Sequence, residues 1–275
     1  MDTHAKFAII PHMGLGDAFV QKGLVSVIAG MAEEVVLVSK RRYEQSLLSI
    51  YDDIDNLSLL FVDDDADISP AFGADGKMWL ALEKQGFAMI PLGYHTGNDD
   101  WLKTDTIWSR CLYKQLGMQP SSMYSKFGKV VVDKDRSEKM LETVVSRVGP
   151  NYVVIHDDPS RDMKIDDSWI DSTLPKIHVD DPEIRSDVLT DYLALIENAS
   201  EFHGIDSSFA LMGDVCLSPW KGPKRVVHTT PGRPTTHPGF YQGTTVVDHG
   251  FVEAGKTGDF GLEEGCVAPD GTRYA

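Results

Sequence analysis

The sequence predicts an α/β protein made of two halves that face one cleft, each built on a parallel sheet, with an irregular C-terminal tail. Two observations carry this. Short β-rich runs alternate with stretches of helical spacing, the rhythm of βαβ units. In each half, a turn after such a run carries residues suited to a ligand: Pro11-His-Met-Gly-Leu-Gly-Asp17 in the first, and His156-Asp-Asp-Pro-Ser-Arg161 with Ile205-Asp-Ser-Ser-Phe209 in the second. Open α/β sheets hold ligands outside the carboxyl ends of their strands, so these turns mark the cleft.

Taken in order, Lys6 to Pro11 is a compact apolar run, and Ala18 to Ala32 has helical spacing in Phe19, Leu24, Val27, Ile28 and Met31. Glu34 to Ser39 reads as a second strand, Arg41 to Ile50 as a helix and Leu57 to Val62 as a third strand. An acidic, glycine-containing stretch separates these from Phe87-Ala-Met-Ile90, and Trp101 to Leu116 reads as an aromatic-containing helix. Met118 to Gly128 is rich in turn formers, and Ser137 to Arg147 is helical in pattern, ended by Val148-Gly-Pro150. A hinge is therefore expected between Pro120 and Pro150. It divides the chain into an N-terminal domain over 1–135, a C-terminal domain over 136–242 and a peripheral tail over 243–275. In the second half Tyr152 to Ile155, Lys176 to Val179, Glu201 to Ile205 and Arg225 to His228 read as strands. Asp191 to Asn198 and the run from Phe209 to Met212 read as helices.

Composition bounds the function. The chain has 275 residues, 42% of them hydrophobic, enough for a real core. A net charge of −16 argues against a nucleic-acid partner, because phosphate-backbone affinity needs a clustered cationic surface. One nucleotide is a different matter, since a helix start and one or two cationic side chains suffice for a diphosphate. No apolar run approaches the about 18 residues of a membrane span and no signal-peptide pattern opens the chain, so a cytoplasmic protein is expected. Cys111, Cys216 and Cys266 are far apart and lack a CxxC spacing, so neither a disulfide framework nor a zinc site is expected.

Gly14 and Gly16 allow a tight turn and close backbone approach, and Asp17 stands where it can cap the following helix. The turn lacks the third glycine of a dinucleotide fingerprint, Phe19 taking that position, and no Gly-Lys-Ser/Thr follows to make a P-loop. Asp17 reads either as a structural cap or as a cleft carboxylate that accepts a proton from a hydroxyl nucleophile. His12, Gly14 and Gly16 are the residues of this loop that would meet an acceptor or a phosphate.

In the second half, Pro159 breaks the strand, and Ser160 with Arg161 supplies a hydroxyl and a guanidinium fork suited to a diphosphate. His156, Asp157 and Asp158 also suit a hard cation, with a solvated acidic loop as the bland reading. Asp206, Ser207 and Ser208 signal a helix start, which explains them as caps and equally as a phosphate cradle. Asp63 to Asp67 reads as a solvated loop. His228 ends a strand on the cleft side. His4, His95, His178, His237 and His249 have no partner legible in the sequence. Lys164, Lys224, Arg225 and Arg233 rank behind Arg161 as phosphate ligands.

These motifs, together with Gly23-Leu-Val25 and Ile196-Glu-Asn-Ala199, resemble a group of GT-B-fold glycosyltransferase-like proteins of bacteria and large DNA viruses or phages. The resemblance spans about residues 7 to 233. The first motif is similar to the Leu-Gly-Asp turn of ADP-heptose:lipopolysaccharide heptosyltransferases, where the aspartate is the proposed base; Asp17 is the matching residue. Asp206-Ser-Ser208 is similar to their helix-start motif for the donor diphosphate. His156 to Arg161 is distantly similar to the His-x-Arg-Arg motif of GT-B fucosyltransferases, but Asp157 and Asp158 interrupt it. The resemblance implies two Rossmann-like domains. The second would hold a nucleotide-diphosphate sugar through His156, Asp158, Ser160, Arg161, Glu197, Asp206, Ser207, Ser208 and His228. The first would present a glycan or other hydroxyl acceptor to Asp17, with neither a metal nor a separate cofactor. Two alternatives stay open: a metal-dependent sugar-nucleotide isomerase or phosphate-ester hydrolase, and a non-catalytic nucleotide- or glycan-binding module, such as a viral accessory on a transferase-derived fold. Oligomeric state is not legible.

Overall fold

A computed structural model describes residues 5–11, 14–63, 77–92, 108–124, 128–158, 163–217, 222–228, 244–247 and 249. The first half runs β1 (Lys6–Ile10), α1 (Leu15–Ala29), β2 (Glu34–Lys40), α2 (Glu44–Tyr51), β3 (Leu57–Val62), α3 (Lys77–Lys84) and β4 (Phe87–Pro91). Its strands form a parallel sheet in the order β3-β2-β1-β4. α4 (Trp108–Gln115) and α5 (Lys134–Val148) lead into the second half. There β5 (Val153–His156), β6 (Lys176–His178), α6 (Leu193–Glu197), β7 (Glu201–Ile205), α7 (Ser208–Cys216), β8 (Lys224–His228) and β9 (Thr244–Val247) follow. The second sheet is also parallel, in the order β6-β5-β7-β8-β9.

Both strand orders reverse direction once. In the first sheet the chain builds outward from β1 to β3 and then returns to the other side of β1 with β4. In the second it places β6 on one side of β5 and β7 on the other. The crevices between β1 and β4 and between β5 and β7 are therefore the topological switch points, where parallel sheets accept ligands. Pro11 to Asp17 leaves the first switch point; His156 to Asp158 and Asp206 to Ser208 leave the second.

The strands read as continuous apolar runs because both sheet faces are covered. Ala8, Ile9 and Ile10 of β1 and Val153, Val154 and Ile155 of β5 are wholly buried. Helix α1 is buried on nearly all sides, since it packs on its own sheet and on α7 of the other half. Gly23 makes room for this: a Cβ there would stand 2.7 Å from Tyr113 Oη and 3.0 Å from the Ser122 carbonyl oxygen. Tyr113 donates from its hydroxyl to the Val20 carbonyl at 2.9 Å. Further bonds join the halves. Ser46 Oγ donates to the Asp187 carbonyl and accepts from Leu189 N–H, both at 3.0 Å, and Tyr124 donates to Asp214 at 3.0 Å.

The second sheet has unequal faces. Helices α5, α6 and α7 cover one. Over the other lies the crossover from β5 to β6, in which Ile165, Ile170, Met163, Trp169 and Leu174 pack on Val153, Ile155 and Ile205. Among its described residues that crossover holds one 3-10 turn, Asp167–Trp169.

Several elements differ from the sequence reading. α1 starts earlier, at Leu15, and α5 begins at Lys134, where Asp133 caps it by accepting from Arg136 N–H at 3.1 Å; Gly149, at φ 87°, ends it. α3 occupies part of the stretch read as acidic and glycine-containing, its apolar Leu82 buried under β4. Within 191–198 a 3-10 turn, Leu189–Tyr192, precedes α6. Ser186 donates from its hydroxyl to Asp191 and from its N–H to the Tyr192 hydroxyl, which ties that turn back on itself. Thr244–Val247, in the stretch read as tail, is the β-branched edge strand β9 beside β8. Cys216 is half-buried, and burial pushes its thiol up to about 12. Among the described residues no helix is long and apolar enough to cross a membrane.

Candidate functional site

The first half brings a carboxylate. Gly14 precedes α1 in an extended conformation, and its N–H donates to Asp17 Oδ2 at 2.8 Å. Asp17 is thus not the N-cap residue that one of its two sequence readings made it; it is the third residue of the helix and reaches back one turn. A Cβ on residue 14 would lie 2.6 Å from Asp17 Oδ2, so a larger residue there would make this carboxylate shift. Asp17 stays half-exposed at the sheet edge. Beside it, a small recess of about 20 Å³ opens between the ends of β1 and β2, walled by Pro11, Gly14, Gln21, Ser39, Lys40 and Tyr43. The sequence reading missed this recess, because its walls come from separate segments with no shared motif. His12 lies outside the described residues.

The second half brings a helix start. Ser207 precedes α7 in extended backbone, yet its hydroxyl makes no cap bond to the helix; it meets His156 Nδ1 at 3.1 Å. The His156 ring lies on Phe209 of the first turn, centroids 4.1 Å apart, and Tyr192 meets the same Phe209 edge-on at 5.0 Å. His156, Asp206 and Ser207 are buried, while Ser208 is half-exposed. A strand end, a helix start and an aromatic are so locked together that the first-turn N–H groups of α7 open at the switch point.

These two starts meet. A Cβ on Gly16 would lie 3.2 Å from Ser208 Cα, 3.5 Å from Ser208 N and 2.5 Å from Leu211 Cδ1. Helices α1 and α7 therefore touch through a glycine within their first turns, and two positive dipole ends lie side by side. Neighbouring like poles favour an anion between or in front of them. Asp17, Ser207, Ser208 and His156 are thereby gathered from both sheets.

The rest of the His-Asp-Asp motif is structural at its described positions. Asp157 accepts from Ile165 N–H at 2.7 Å and pairs with His178 Nδ1 at 3.0 Å. Burial would raise its carboxyl, but the bonds from His178 and Ile165 outweigh burial and hold it below the usual carboxylate range. The hydrogen bond to Asp157 in turn raises His178. Asp158 and Met163 exchange both backbone bonds, at 2.9 and 3.0 Å, and so close the segment that carries Ser160 and Arg161, which lie outside the described residues.

Other sequence candidates are not brought to the site. Glu197 ends α6 four residues before β7 begins, so it is exposed beyond the amino edge of the sheet, opposite the switch point; a helix returning between parallel strands must end there. Arg225 is buried and donates to the Gly213 carbonyl at 3.2 Å. Lys224 pairs with Glu201 at 2.9 Å. Asp63 pairs with Arg41, with 64–67 outside the described residues, as are His4, His95, His237 and Arg233. His228 stands at the end of β8 beside Ile205, but both its ring nitrogens are engaged, by His203 at 2.8 Å and by His249 at 2.9 Å. Among the described residues no three His, Cys, Asp or Glu side chains converge to hold a metal ion.

Two parallel α/β sheets joined at facing carboxyl edges define a GT-B-like two-domain fold. No protein-family profile and no curated protein matches the sequence. Among solved structures, the chain is similar to a glycosyl transferase family 9 protein from Veillonella parvula, with a TM-score of 0.51 and 11% identity over 90% of this chain and 88% of that one. At that identity the likeness is one of fold alone.

Proposed function

We propose that the protein is a glycosyltransferase that moves a sugar from a nucleotide-diphosphate donor to a hydroxyl acceptor. One observation carries the reading: the meeting of the α1 and α7 starts, which joins a carboxylate from one sheet to an N–H cradle from the other. The donor diphosphate would lie on the α7 start, its charge met by first-turn N–H groups, Ser208 and the Arg161 guanidinium. Such a preorganised cradle stabilises the leaving diphosphate as the bond to the sugar breaks. Asp17 would take the acceptor hydroxyl proton. His156 holds Ser207 in place rather than reacting. On this reading residues 1–135 form the acceptor domain and 136–242 the donor domain, and the domains close on the donor.

The bond from Gly14 N–H to Asp17 favours a second reading, a binding module in which Asp17 only builds the turn. Thermal stabilisation by UDP, GDP, ADP, CDP and dTDP and their sugars, with and without Mg²⁺, separates the readings when followed by a transfer and donor-hydrolysis assay. A ligand at 100 times its Kd adds about 2.7 kcal/mol of stability. Stabilisation by one nucleotide class, lost in Arg161→Ala, with turnover lost in Asp17→Asn, is the expected result. Stabilisation without turnover selects the binding module, and no stabilisation by any nucleotide refutes the donor site.

A further inference from the structure

On the loop-covered face of the second sheet, four titratable side chains form an unbroken row. Glu201 Oε2 meets His203 Nε2 at 3.1 Å; His203 Nδ1 meets His228 Nε2 at 2.8 Å; His228 Nδ1 meets His249 Nε2 at 2.9 Å. The two pairs of rings have centroids 5.1 and 5.2 Å apart and are inclined by 24° and 9°, so with these N···N distances they lie edge to edge and close to coplanar. Trp169 lies flat on the His249 ring at 3.6 Å and fixes its plane. Nitrogens paired in this way face one another in line and do not converge on a metal.

Proton bookkeeping gives the row a direction. Glu201 is held ionised by Lys224 at 2.9 Å, and an ionised carboxylate only accepts. His203 therefore carries its proton on Nε2, its Nδ1 accepts from His228 Nε2–H, and His228 Nδ1 accepts from His249 Nε2–H. Every junction then holds one proton and all three rings are neutral. A second arrangement satisfies the same heavy atoms. A proton bonds to His249 Nδ1; the His249 Nε2 proton passes to His228 Nδ1; the His228 Nε2 proton passes to His203 Nδ1; the His203 Nε2 proton passes to Glu201 Oε2. One proton has been added, every hydrogen bond has reversed, and the three rings remain neutral beside a neutral Glu201.

We propose that Glu201, His203, His228 and His249 form a two-state proton relay in which uptake of one proton turns His249 Nδ1 from acceptor to donor at the candidate donor-site edge of the sheet. The row reaches that edge at His228, which pairs with Ile205, the residue before Asp206 and Ser207. Among the described residues, the charged groups facing it include Glu201 and Asp166 on the acidic side and Lys224 and Lys176 on the basic side. Desolvation, opposed by Glu201, lowers His203, and desolvation with the neighbouring rings lowers His228, so the proton-poor state holds at pH 7. An anion at the sheet edge favours the donor state. On the nucleotide-sugar reading, donor binding is therefore linked to uptake of one proton.

Nitrogen NMR of histidine-labelled protein tests the relay without any ligand. At pH 8 His203, His228 and His249 are expected as Nε2–H tautomers, and on acidification all three convert to Nδ1–H in one shared titration. Lys224→Met moves that titration up in pH, because a cation beside Glu201 is gone. In Glu201→Gln the amide both donates and accepts, so both tautomers coexist at every pH with no shared step. Three separate titrations, or a Glu201→Gln protein whose His249 behaves as in wild type, overturn the relay. The linkage is read from the Kd of whichever UDP-, GDP-, ADP- or dTDP-sugar binds, measured through the pH range of the shared step, where the diester phosphates of the ligand do not titrate. Affinity is expected to rise toward tenfold per pH unit across the shared step, and to be flat in Glu201→Gln. A flat wild-type profile overturns the linkage. Failure of every nucleotide sugar to bind refutes the functional reading and the linkage built on it, with the relay decided by the tautomers.

Discussion

Gly16 and Ser208 touch backbone to backbone across the two halves: a Cβ on Gly16 would stand 3.2 Å from Ser208 Cα and 2.5 Å from a Leu211 methyl. Leu211 can turn aside, but Ser208 belongs to the helix start itself. Gly16→Ala should cost about 1–3 kcal/mol, the range for forcing a methyl into packed structure. It should also weaken any nucleotide-dependent stabilisation, since α7 must shift. Urea unfolding with and without nucleotide measures both, and wild-type stability in the Gly16→Ala variant would disprove the close approach.

Asp17→Asn separates structure from chemistry. Asparagine keeps an oxygen to accept the Gly14 N–H, so stability should change by less than about 1 kcal/mol. Asparagine cannot take a proton, so transfer should fall by about 10²–10⁴. A folded Asp17→Asn variant with full transfer activity would remove Asp17 from the chemistry.

The fold was legible where local chemistry and burial agree. Lys6 to Pro11 and Glu34 to Ser39 are apolar because inner parallel strands are covered on both faces, and with the half-covered edge run Leu57 to Val62 they appear as β1, β2 and β3 with shifts of at most one residue. The start of α7 was legible for a similar reason, since Asp206-Ser-Ser208 suits a helix start. The site's assembly was not legible. Nothing local in Gly16 says that its neighbour is Ser208, and nothing in His249 says that it joins His228, because both relations depend on how distant elements pack. Glu197 shows the converse: the resemblance made it a ligand, but the direction of α6 carries it to the far sheet edge.

Lys22 has no exposed side-chain surface, and its ammonium is paired with Asp53, whose side chain is 36% exposed. Desolvation lowers Lys22 below the ordinary lysine range despite this partner. Asp53→Asn should cost about 2–4 kcal/mol, near the low end for stranding a buried charge, because solvent reaches the carboxylate side. Lys22→Met, which removes the charge and keeps the volume, should be close to neutral, so the double variant Lys22→Met with Asp53→Asn should regain most of the loss. Three denaturation curves decide it, and an additive double variant would show that the pair is not coupled.

Two histidine environments pull stability in opposite directions with pH. His228 is depressed to about 4 by desolvation and the neighbouring rings. Its unfolded form binds a proton first, so stability is full above about pH 6.5 and is lost as pH falls from there toward 4. The limit is about 3 kcal/mol, at 1.36 kcal/mol per unit. His178 is raised by its bond to Asp157, so its contribution is present below about pH 6.5 and is lost as pH rises through its higher folded value. Urea unfolding from pH 4.5 to 8.5 should therefore show a maximum. His228→Gln should make the acid limb shallower, leaving the share of His203, and leave the alkaline one. His178→Gln should do the reverse, because glutamine still donates to Asp157 but does not titrate. If His228→Gln changed only the alkaline limb, the neutral, buried state assigned to His228 would be wrong.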